Sequence, residues 1–220
     1  MNETSESPVL NPWWGIWVQP RQAIRSIIDT DPRMHFWVLV LFYGVIRTVS
    51  WGIQVGLGDY FPPAGVAGFI VLVGPLAGII SIYLIGSLIG SLGRAMGGKA
   101  EGEQIRAVLA WATLPMNVLF ILAMFPFMMM LGQRIFSLQD PMTQRILYGS
   151  GSSAGLLSGG LSMWKTMLDL IGAIYYIVIT VVGISEVEEF GLWKAAGVFS
   201  IVVGGLLLVS LLLALISIMI

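Results

Sequence analysis

The sequence predicts an all-α polytopic membrane protein, a bundle of five transmembrane helices with an N-terminal interfacial amphipathic helix. Three observations predict it. Apolar stretches at Phe36 to Leu57, Val66 to Leu92, Ala107 to Leu131, Met163 to Ile184 and Ala195 to Ile220 take up most of the chain. Each is long enough, at about 20 residues or more, to cross a hydrocarbon core as a helix. Hydrophobic residues make up 57% of the sequence and charged residues 10%. The stretches are also apolar all round, whereas a soluble bundle needs polar faces at helical spacing. Short junctions leave no room for a separate aqueous domain, so residues 11–220 read as one membrane domain. Residues 1–10, small, polar and acidic, read as a disordered tail.

Taken in order, the first element is NPWWGIWVQPRQAIRSIIDTDP. Trp13, Trp14 and Trp17 suit the headgroup zone. Pro20 can open a helix in which Ala23, Ile24, Ile27 and Ile28 share one face and Arg21, Arg25 and Asp29 the other. Such a helix is expected to lie flat on a leaflet, with Trp13, Trp17, Arg21 and Arg25 docking it. Asp31 and Pro32 read as N-cap and first residue of the first span. The second span carries glycines at four-residue spacing, Gly74 with Gly78 and Gly86 with Gly90. In lipid, stripes of small residues let helix backbones approach closely, within one bundle or between copies. Pro75 should kink the second span, and Pro115 and Pro126 the third. Between the third and fourth spans, Gly132 to Ser162 starts mildly amphipathic and ends in GSGSSAGLLSGG, which reads as a linker. Glu186, Glu188 and Glu189 form an acidic turn before the fifth span and are expected to make a cytoplasmic contact patch.

Orientation follows from the basic residues, because junctions rich in lysine and arginine stay cytoplasmic. Arg21, Arg25, Arg33, Arg94, Lys99, Arg106 and Lys194 fall on one side, against Arg134 and Arg145 on the other. The N-terminus is expected in the cytoplasm and the C-terminus outside. A net charge of -1 without a basic run argues against nucleic acid. Cysteine is absent, which removes thiolate metal sites and thiol nucleophiles.

Catalytic groups are scarce. His35 is the single histidine and sits at the expected membrane surface. No HExxH pairing exists, and the loop serines lie on the opposite side from that histidine, so no catalytic, metal or cofactor residues are assigned. Charges within spans carry more weight, since each costs about 2.5 to 3.5 kcal/mol to insert. Arg47 lies near the middle of the first span and Asp169 at a similar depth in the fourth, so the two are expected to pair. Lys165, one turn before Asp169, can join them or snorkel outward. An ion pair fixing helix register and a polar site in a solute pathway are both open readings.

Three junctions together, NPWWGIWVQPRQAIRSIIDTDPR, GGKAEGEQIRAVLAWATLP and GISEVEEFGLWKAA, resemble the bacterial branch of the Yip family, the Ypt/Rab-GTPase-interacting proteins. Asn11, Pro12, Trp13, Trp17, Pro20, Arg21, Arg25, Gly97, Gly98, Ala110, Trp111 and Pro115 carry the likeness most specifically. The resemblance implies a five-span fold with a cytoplasmic N-terminus and, for a bacterial member, an address in the cell (inner) membrane. Eukaryotic members resemble trafficking factors that associate with Rab GTPases. Their long N-terminal domain and its DLYGP motif are not matched here, so Rab binding is not carried over. The expected function is that of a non-enzymatic membrane protein of the Yip type, an organiser or adaptor acting through helix packing and cytoplasmic surface contacts. Its expected partners are the lipid bilayer, other membrane proteins or further copies of itself. The alternative is a small transporter or channel built on Arg47, Lys165 and Asp169.

Overall fold

The computed structural model describes residues 11–147 and 156–219. Within them the chain forms helices α1 (Pro12–Val18), α2 (Pro20–Thr30), α3 (Phe36–Val55), α4 (Pro63–Ala95), α5 (Gly102–Leu131), α6 (Pro141–Leu147), α7 (Leu156–Val187) and α8 (Leu192–Met219). Short 3-10 turns follow α3 and α5. Five segments are long and apolar enough to cross a membrane, Phe36–Val55, Pro63–Ala95, Gly102–Phe136, Ser158–Val187 and Leu192–Ile216. The tail expected to be disordered, residues 1–10, lies outside the described residues. So does the first part of the expected glycine-serine linker, whereas its end, from Leu156 onward, is already helix α7.

Local chemistry explains the helix boundaries. Asn11 caps α1 by accepting from the Trp13 N–H at 3.1 Å, and Pro12, lacking an N–H, costs nothing in the first turn. Pro20 opens α2 in the same way. Asp31 caps a turn rather than the first span: its carboxylate accepts from the Arg33 N–H at 2.8 Å, and α3 starts only after His35, which takes the left-handed conformation at φ 55°. Gly56, at φ 67°, ends α3 where a side chain would be strained.

Helices α4 and α5 run on through their prolines. A proline inside a helix frees the carbonyl four residues back. For Pro126 that carbonyl belongs to Leu122, and the Trp164 indole N–H donates to it at 3.3 Å. A neighbouring helix thereby restores a hydrogen bond that lipid cannot offer.

Contacts divide the chain into two compact units. A terminal unit comprises Met1–Met34, Ile82–Trp111 and Val178–Ile220; a central unit comprises His35–Ser81 and Ala112–Ile177. In the terminal unit Ile16, Ala23, Ile24, Ile27, Ile105, Leu109 and Trp111 are all fully or almost fully buried. The apolar face of α2 is therefore covered by protein. This corrects the expectation that it lies flat on lipid, and the large apolar residues left exposed, Trp13, Trp14 and Val18, belong to α1. In the central unit Ile53, Met124, Phe127, Leu131, Ile135 and Ile146 form one cluster. The end of α5, the turn after it and α6 thus fold back into protein.

The second-span glycines have two different neighbourhoods. In the central unit, Gly74 and Gly78 of α4 meet Gly44 of α3 backbone to backbone. A Cβ built on Gly44 would lie 2.7 Å from the Gly78 nitrogen, which no real Cβ tolerates, and the crossing therefore requires glycine. In the terminal unit, Gly86 and Gly90 face side chains instead, those of Arg106, Leu109 and Ile105. All four glycines are engaged within this chain.

Candidate functional site

Several charged residues in the terminal unit pair with one another. Glu186, near the end of α7, accepts from the Arg21 Nε at 2.8 Å and is also paired with Arg25. Arg33 is paired with Glu103, and this hydrogen bond, ahead of the charge attraction, raises the guanidinium pKa. Lys99 donates to Glu189 at 2.7 Å, and the same bond raises the ammonium pKa. Glu188 is 1% exposed. One of its oxygens accepts from the Ala100 N–H at 3.0 Å, while the other is buried without a hydrogen-bond partner. Gly93 and Gly98 leave the space this carboxyl fills, since a Cβ on either would lie within 2.7 Å of its Cδ.

These contacts revise the expected surface sites. Glu186 and Glu188 are largely or wholly withdrawn from solvent, and Glu189 alone of the three keeps an exposed side chain, at 62%. An acidic contact patch is therefore not presented. Arg21 and Arg25 use their guanidinium groups on Glu186 rather than leaving them for lipid phosphates. Trp13 packs edge-on against Trp111, with ring centroids 5.3 Å apart. Trp17, between Trp14 and Val18, is partly buried.

The central unit contains the opposite arrangement. A cavity of about 360 Å³ opens among α3, α5 and α7, lined by Arg47, Ser50, Gln54, Asn117, Lys165 and Asp169 beside apolar neighbours. Arg47, Ser50 and Gln54 sit at helical positions i, i+3 and i+7, which places them on one face of α3. A second cavity of about 250 Å³ shares Ser50, Gln54 and Lys165 and continues to Ser162, Thr166 and the apolar Ile53, Met124 and Leu147.

Arg47 and Asp169 line the same cavity, but they do not form the expected pair. The ion pair is a different one. Asp169 is bound by Lys165, one turn earlier on the same helix, with both side chains 37% exposed. At i, i+4 spacing this partner lies on the same face, and it needs no alignment between helices. Arg47 forms no ion pair among the described residues. Asn117 was not anticipated. It is completely buried, and neither its amide nitrogen nor its amide oxygen has a hydrogen-bond partner. As an amide side chain two residues after Pro115 in an apolar span, it could have been singled out by the same cost argument applied to charges.

One junction outside the spans is also polar. Asp59, after α3, accepts from the Ser137 hydroxyl and from the Leu138 N–H at 2.8 Å. The Ser137 bond lowers its pKa, desolvation opposes that, and the Leu138 N–H assists it. Among the described residues no cluster of His, Asp and Glu is arranged to hold a metal ion.

Helices of this length and apolarity define an all-α, multi-pass integral membrane protein. The chain belongs to the Yip family: the family model described as the Yip1 domain matches residues 14–214. No curated protein and no solved structure matches it.

Proposed function

We propose that this protein acts by binding rather than by catalysis, as an organiser of membrane components that holds a polar group of one of them inside the bilayer. The observation that carries this reading is the cavity, with a guanidinium that forms no ion pair among the described residues and a buried amide without a hydrogen-bond partner. Each is costly to keep in an apolar surrounding unless a ligand compensates it. The chemical inventory supports a non-enzymatic role, because the sequence has no cysteine and a single histidine, His35, which does not line the cavity.

The competing reading, a transporter or channel, is favoured by the same cavity. The adjoining cavity is walled by the apolar Ile53, Met124 and Leu147. That favours a binding site over a conduit. The basic bias of the junctions supports a cytoplasmic N-terminus, and the Yip resemblance supports a bacterial inner membrane.

A photo-crosslinking residue placed at Ser50 in native membranes tests this. Adducts with a lipid or a second membrane protein are expected. Solute flux in liposomes without any adduct would replace the organiser with a transporter.

A further inference from the structure

We infer that the cavity of the central unit is a site for a singly charged phosphate-type oxyanion that carries a hydrogen-bond donor beside it, as in a hydroxylated anionic lipid headgroup or dihydrogen phosphate. The inference rests on the binding role proposed above and adds the ligand class. Charge comes first: the lining holds Arg47 and Lys165 against Asp169, two cations and one carboxylate, a net of one positive charge. Lys165 and Asp169 neutralise each other. The remaining charge is that of Arg47, which cannot be shed by deprotonation and whose planar fork matches an oxyanion with two oxygens.

Hydrogen bonding narrows the class. Asn117 has both its donor and its acceptor unsatisfied, so a complementary ligand must accept one hydrogen bond and donate another. A halide or sulfate supplies no donor. A phosphate bearing a hydroxyl supplies both. Size is the third consideration: at about 30 Å³ per water in the liquid, the cavity corresponds to roughly twelve waters. That space takes a headgroup, and the adjoining cavity, with Ile53, Met124 and Leu147 on its wall, gives an apolar lining where a chain can begin.

The test uses the purified full-length protein. Native mass spectrometry with phosphatidylglycerol and phosphatidylcholine at equal concentration probes the lipid source, and calorimetric titration with inorganic phosphate and with sulfate probes the free anion. Retention of phosphatidylglycerol at least about tenfold over phosphatidylcholine is expected. Arg47→Gln and Asn117→Leu should each weaken it roughly 10- to 100-fold, the scale of losing a hydrogen bond to a charged group. Should Arg47→Gln fail to fold, Asn117→Leu, close in volume and apolar, carries the test. Binding of phosphate but not sulfate, sensitive to the same variants, would support the site with a free anion as its source.

Equal retention of both lipids together with no phosphate binding, or affinities unchanged in both variants, would overturn the inference. The two failures are separable. Capture of a neutral or cationic headgroup at Ser50 would refute the anion and leave the binding role standing, whereas no adduct and no bound lipid of any kind would refute both.

Discussion

The terminal and central units treat charge in opposite ways. Around Glu186, Glu188 and Glu189 the carboxylates find protein partners: two arginines on the first, the Ala100 N–H on one oxygen of the second, whose other oxygen is buried without a hydrogen bond, and Lys99 on the third. Around the central cavity Lys165 pairs with Asp169 and Gln54 donates to Ser50, while among the described residues Arg47 forms no ion pair and the Asn117 amide has no hydrogen-bond partner. The difference separates charges engaged within the fold from a cavity guanidinium that forms no ion pair among the described residues. In a membrane protein both look alike in sequence, because each is a charge interrupting or flanking an apolar stretch. Partner satisfaction, visible only after folding, tells them apart.

The glycine stripe offers the sharpest way to break the comparison. Gly44→Leu places side-chain atoms where the α4 backbone already lies, so a loss of about 3 kcal/mol or more is expected. Monodisperse protein should no longer be recovered by size-exclusion chromatography. Gly86→Ala, facing the flexible Arg106 side chain, should be recovered and melt within a few degrees of the parent. Equal tolerance at both positions would erase the distinction between a backbone crossing and a side-chain packing site.

Next in size is Glu186→Gln. Its carboxylate is mostly buried but its arginines are 60% and 65% exposed. Solvent screening therefore keeps the loss near the lower end for charged hydrogen bonds, about 1 to 2 kcal/mol. Thermal melts should show a fall of several degrees. Arg47→Gln, in the lipid-free protein, should not lower stability, because it removes a charge that has no ion-pair partner among the described residues. If Arg47→Gln proved the more damaging of the two, Arg47 would be a structural charge.

Asp59 provides a pH dependence. Its folded-state pKa lies below the ordinary carboxylate value, so the unfolded chain takes up a proton first as the pH falls. The stabilisation is fully present above the unfolded value, about 3.9, and is lost as the pH falls through the folded one. Asp59→Asn should flatten the melting temperature between pH 5 and 3 relative to the parent. The smallest effect belongs to Lys99→Ala. Its pair with Glu189 is exposed on both sides, at 73% and 62%, so no measurable change in melting temperature is expected at physiological salt.

Much of the fold was legible in the sequence, since span existence depends on composition and length alone. Helix ends were less so. Asp31 and Pro32 have the residue types of a helix start, yet His35 in a left-handed conformation delays α3 to Phe36. Part of the candidate site was also readable, because intramembrane charges are costly wherever they occur. Arg47, Lys165 and Asp169 were found on that ground. Asn117 and the choice of partner for Asp169 were not, since an i, i+4 partner and a cross-bundle partner are equally available to a linear reading.

By itself the sequence determined the solvent, the number of spans and the family. Each follows from quantities summed along the chain: apolar length against bilayer thickness, and junction motifs at fixed places. Tertiary structure decided which polar groups are used up and which remain open. It buried the α2 face and Glu188, which the linear pattern assigned to the surface, and brought Arg47 and Asn117 to one unfilled space. The physical reason is that the energy of a buried polar group depends on the partner within about 3 Å of it, and for groups on different helices that distance exists only once the helices have packed.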